Sequence, residues 1–209
     1  MSNLSSHSKS DDQPQTEISE GPRLDPPGAG LPPLELAIGR RLFAFTRWRG
    51  SRESFDVRID GEREAIERLV ARCSEVERSR PVLIPRPRGL EDSSRNWSVW
   101  MTLDHLRITN DVFAMVIKSL AAGRVPQREA STADVKPSAE VSNEVETAFA
   151  ASCDRLLETV DGVGDLRTKA NYAHPWFGPL DASGWHALAA VHLGLHRGQI
   201  EKILERLPA

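Results

Sequence analysis

A chain of 209 residues, 39% hydrophobic and 27% charged, is long enough to close one core of ordinary size. Its 27 basic and 30 acidic residues leave a formal net charge of −3, and its only basic cluster, Arg40 to Arg52, reads as the wet face of a helix, so no nucleic-acid partner is expected. No stretch approaches the roughly 20 apolar residues of a membrane span, and the polar, acidic start has no apolar run ahead of a cleavage site; the expectation is a cytoplasmic protein with no membrane partner.

Residues 1–33 read as a disordered tail, rich in Ser, Asp, Gln and Pro and ending in two Pro-Pro pairs. His7 lies there and is expected to be inert. The remainder, 34–209, reads as a single domain. Leu34, Ile38, Leu42 and Phe45 space a leading helix over 34–48. Its apolar stripe must be covered, either by this chain's own bundle or by a second copy in a homodimer. A second amphipathic stretch runs from 61 to 80, with Ile66, Leu69, Val70, Cys73 and Val76 on one face. Weak alternation around Phe55 to Ile59 is the nearest thing to a strand. Pro81, Pro85 and Pro87 force a loop to about residue 94.

The next helix spans 96–122 and aligns Met101, His105, Ile108, Val112 and Val116; Gly123 and Pro126 stop it. A polar loop over 125–137 precedes a helix at 138–160, with Val145, Phe149, Cys153 and Leu156 in its stripe. A connector at 165–181 carries His174-Pro-Trp-Phe-Gly-Pro and is expected to pack as a structured loop. The last helix runs from 182 to 207. The two cysteines, Cys73 and Cys153, form no CxxC and lie on apolar stripes, as small core residues in a reducing compartment. The whole reads as all-α: a four-helix bundle with one extra leading helix.

The chemistry sits on the last helix. His192 and His196 are spaced i, i+4, so their imidazoles lie one turn apart on one face. That face also holds Trp185, Leu188, Ala189, Leu195, Gln199 and Ile203, and so should enter the core. A buried imidazole without partners costs about 1–3 kcal/mol, and a divalent ion removes the problem for two at once. A third ligand must then come from a facing helix, and His105 sits on the apolar side of its own. A polar network without metal would satisfy the same rings if carbonyls or hydroxyls faced them. Gln199 is placed to hydrogen-bond a ligating imidazole. His174 and Trp176 are candidates for the pocket wall, and the loops at 81–95 and 165–181 for its sides. His186 projects away from the His192 and His196 sector and is expected to be exposed. Asp104 points elsewhere on its helix and is not counted as a ligand. No GxSxG, P-loop, GxGxxG or HExxH motif is present.

Three segments together resemble the DinB-like superfamily of four-helix bundles: Asn96-Trp-Ser-Val-Trp-Met-Thr-Leu-Asp-His105-Leu, His174-Pro-Trp-Phe-Gly-Pro-Leu-Asp-Ala-Ser-Gly-Trp185, and His192-Leu-Gly-Leu-His196-Arg-Gly-Gln199-Ile. The resemblance covers about residues 60–207. It implies a divalent metal, zinc, nickel or iron, on His105, His192 and His196. It also implies a metal-dependent enzyme acting on a small molecule, as a low-molecular-weight-thiol transferase or a hydrolase. The alternative is a non-catalytic metal-binding or stress-associated bundle.

Overall fold

The computed structural model describes residues 22–207. Of the expected tail, residues 1–21, His7 among them, lie outside that part. Residues 22–32 are tied down rather than free: the Asp25 N–H donates to the Asp92 carboxylate at 3.0 Å and the Gly28 N–H to Glu91 at 3.2 Å.

Six α-helices form among the described residues: α1 (Pro33–Arg49), α2 (Arg52–Val70), α3 (Glu75–Ser79), α4 (Val99–Ala121), α5 (Glu144–Asp161) and α6 (Ala182–Leu204). Helix α2 starts earlier than expected because Ser51 caps it: its hydroxyl accepts from the Ser54 N–H, and the Ser54 hydroxyl answers to the Ser51 N–H. Phe55 and Ile59, read as weak alternation, are i, i+4 neighbours buried on one face of that helix. The expected 61–80 helix breaks at residues 71–74, where Ser74 opens α3 with a second capping box. Helix α5 begins at Glu144, later than expected.

The four long helices α2, α4, α5 and α6 make the bundle. Helix α4 packs on α5 and α6, and α2 packs on α6 and more lightly on α5, so α2 lies diagonal to α4. Gly194 serves the α2–α6 contact: a Cβ there would meet the Glu62 carboxylate at 2.8 Å. The core is Ile59, Ile66, Leu103, Leu106, Ile117, Phe149, Leu156, Trp185 and Leu193, each almost wholly buried. Cys73 and Cys153 are both buried and unpaired. Burial pushes the Cys153 thiol up to about 12, so it is no nucleophile.

Two small hairpins brace the ends. In the first, β1 (Val82–Leu83) pairs antiparallel with β2 (Asn96–Trp97). In the second, β3 (Tyr172–His174) pairs with β4 (Gly178–Leu180), with His174 opposite Gly178. β1, β3 and β4 lie in segments expected as loops, whereas β2 takes up the expected start of the 96–122 helix, which begins instead at Val99 behind its Ser98 cap. Asp181 then caps α6, accepting from the Gly184 N–H at 2.8 Å.

Helix α1 lies across α6 and differs from its expectation. The buried residue is Phe43, whose ring stands 4.6 Å from that of Phe177. The stripe Leu34, Ile38, Leu42 and Phe45 is left exposed. Polar clamps fix the helix instead: Arg40 donates to the Trp176 carbonyl at 2.6 Å, and Arg47 to Asp181 at 2.9 Å. Just beyond, Arg52 reaches the Val160 and Val163 carbonyls. The basic cluster is therefore more than a wet face; part of it staples α1 and α2 to distant loops. No helix among the described residues is long and apolar enough to cross a membrane.

Candidate metal centre

Helix α4 brings in His105 on its second turn, and α6 brings in His192 and His196 one turn apart. One nitrogen from each of the three lies within 4.8 Å of the other two. The His105 and His192 Nε2 atoms are 3.2 Å apart. Two imidazoles bound to one ion at about 2.1 Å, at octahedral to tetrahedral angles, would stand about 3.0–3.4 Å apart. The donor set therefore fits a divalent ion.

The protons fit as well. A carbonyl can only accept, so the 2.6 Å contact from His105 Nδ1 to the Val135 carbonyl puts the proton on Nδ1 and leaves a lone pair on Nε2. On His196, Nδ1 lies 2.7 Å from Gln199 Oε1, while Gln199 Nε2 donates to the Ser94 carbonyl at 2.8 Å. The amide orientation is fixed by that carbonyl, so His196 also turns an Nε2 lone pair inward. Such an outer bond sets tautomer and ring angle. His192 has no such support: its Nδ1 is buried without a partner among the described residues. In either tautomer one of its nitrogens is left unsatisfied, and with Nδ1 protonated its Nε2 lone pair faces that of His105.

Burial dominates the electrostatics. It pushes His105 down to about 4. His192 and His196 are held well below the usual imidazole range, first by burial and then by neighbouring imidazoles. All three are neutral at pH 7, the form that ligates. Trp97 stacks nearly parallel to His196, with ring centres 6.1 Å apart, and lies 5.1 Å from His105. Lys136 sits over the same Trp97 ring while paired with Glu91. Asp104, next to His105 in sequence, turns to Arg107 and the Ser138 N–H and stays out of the cluster.

The histidines open onto a chamber of about 1070 Å³. The two expected loops do wall it, through Gly89 to Glu91 on one side and His174 to Phe177 on the other. His174 and Trp176 are both on the lining. Two walls were not anticipated: the segment 126–136 and helix α1. Trp97 and the Val135 carbonyl were also missed as site groups. Trp97 stands inside a segment already singled out, but a carbonyl has no signature in a sequence.

His186 corrects an expectation. It is fully buried, because α6 is flanked on its opposite face by α2. Its Nε2 lies 2.9 Å from Asp56 Oδ1, though without the angle of a hydrogen bond, and its ring meets Phe55 edge-on.

No curated protein matches the sequence. The fold is similar to a solved structure described as TT2238, a four-helix bundle protein. Identity is 22%, covering 72% of this chain and 98% of that one, with a TM-score of 0.55. Residues 58–200 match the DinB superfamily. That match takes in α4, most of α6 and all three clustered histidines, and by it the chain belongs to the DinB superfamily.

Proposed function

We propose that this chain is a divalent-metal-dependent enzyme acting on a small molecule in the cytoplasm, as a low-molecular-weight-thiol transferase or a hydrolase. The observation that carries the reading is the convergence of three neutral imidazoles, two of them buried and locked by outer hydrogen bonds and the third half-buried, at the wall of a chamber. A divalent ion (zinc, nickel or iron) held by three such ligands keeps open positions and supplies activation of a thiol or a water.

The chain's own groups do the rest. Val135 and Gln199 hold the His105 and His196 rings in place. Trp97 covers one side of the cluster and limits water there. His174 offers a neutral ring on the lining, its Nδ1 accepting from the Trp176 N–H at 3.1 Å and its proton therefore on Nε2. A closed, non-catalytic store would call for a fourth protein ligand. Among the described residues no Asp, Glu or Cys joins the three histidines.

The test is metal content by mass spectrometry on the purified, untagged protein and on His192→Ala. Near-stoichiometric metal in the parent, lost in the variant, supports the reading. No metal in the parent after incubation with zinc, nickel or iron sinks it.

A further inference from the structure

The chamber is much larger than an ion and a small thiol require. At about 1070 Å³ it is as large as pockets for drug-sized molecules, which run to roughly 1,000 Å³. Its inner wall is aromatic and aliphatic, with Trp97, Phe113, Val116, Tyr172, Phe177 and Trp185 on the lining. Apart from the exposed Arg88 and Glu129, the charges on the lining are already matched. Glu35 takes Arg86 and the Gly89 N–H. Lys136 stands 3.1 Å from Glu91, and Arg128 2.8 Å from Asp134. Arg88 is exposed at the mouth. An anion in the interior would find no unmatched cation, and a buried charge without a partner is costly.

Two further features point the same way. The His174 Nε2–H has no protein acceptor among the described residues, so the inner wall keeps one neutral donor in hand. At the mouth, Leu34, Ile38 and Leu42 line the chamber while being 75%, 50% and 63% exposed. An apolar stripe continuous with a pocket marks a place where apolar matter enters. This accounts for the face of α1 that the bundle leaves uncovered.

We propose that the chamber binds a bulky, uncharged, mainly apolar organic molecule carrying a hydrogen-bond acceptor for His174, and that the exposed stripe of α1 is its entrance. Calling that molecule the substrate rests on the metal-dependent reading above; its binding does not.

The probe is N-phenyl-1-naphthylamine, a neutral apolar fluorophore, titrated into the full chain as purified and after loading with zinc. Saturable binding at one probe per chain is expected. Val112→Trp, which puts bulk into the chamber, should weaken it about tenfold or more, and Leu42→Asp, at the exposed mouth, about threefold or more. Val57→Asp, on an exposed position of α2 away from the lining, should leave it unchanged. Decanamide should displace the probe from the metal-free chain at a concentration about tenfold or more below that needed for decanoate. No saturable binding, or unchanged affinity in both Val112→Trp and Leu42→Asp, overturns the assignment. Equal displacement by amide and carboxylate overturns its uncharged character. Metal is measured on the same samples. Probe binding in a chain that takes up no metal supports the chamber and counts against the metal centre alone; metal without probe binding overturns the chamber alone.

Discussion

Helix α6 carries two buried histidine environments on opposite faces. On one, His192 and His196 meet His105 with no acid among them. On the other, His186 meets Asp56, whose charge favours the protonated ring and works against the burial that disfavours it. The helix and the residue type are alike, and His186 and His196 are both fully buried; the partner differs. Beside a carboxylate, the imidazole has an opposite charge that offsets part of its burial, although neither ring nitrogen makes a hydrogen bond among the described residues. Three imidazoles facing one another, two of them with their protons turned outward, present more lone pairs than protons, a set that could hold a metal ion.

The sharpest way to break this contrast is to remove one ring from each environment. His105→Ala should lower metal affinity by well over a hundredfold, read by competition with a chromogenic chelator, whereas His186→Ala should leave the affinity within about threefold. Comparable losses from both would mean that the two environments are not distinct. Next in size is the outer bond. Gln199→Leu frees the His196 ring and should cost about 10–100-fold in metal affinity, by the same assay. A variant binding as the parent does would make Gln199 a packing residue only.

Acid should separate the metal-free and loaded forms. An unfolded imidazole takes up its proton near pH 6.5, and folded His105 only near 4. Between those values the unfolded chain binds more protons, so metal-free stability falls as the pH drops from about 6.5 to about 4. Urea midpoints at several pH values read this directly; a flat profile across that window would show that the rings are not held neutral. The smallest effect belongs to the acid pair. Asp56→Asn keeps the shape and removes the charge, and should shift stability by about 1 kcal/mol or less, since Asp56 is one-third exposed.

The bundle helices and the three histidines were legible because both follow the helical period. His192 and His196 sit mid-face on a strongly patterned helix, and His105 sits on the apolar side of another. What escaped follows from the limits of a single-face projection. Such a projection sends His186 to solvent, yet α6 packs against α2 as well as α4. The stripe on α1 has the right period for burial but borders a chamber. The break at 71–74 turns on a local capping box, and the hairpins, with strands of two or three residues, are too short to show alternation. The wall at 126–136 is polar loop in composition, and its contribution to the site is the Val135 carbonyl, a group every residue possesses.

His105 and His192 stand 87 positions apart in the chain. Like the α2–α6 contact Glu62 to Arg197, 135 positions apart, theirs closes a long loop, and closure of that length comes before any reward from the contact. The histidine cluster therefore exists only once α4 and α6 have docked in register. On the proposed reading an ion captured there would be a late clasp: it would add little to the start of folding and slow the escape of a chain that has already arrived.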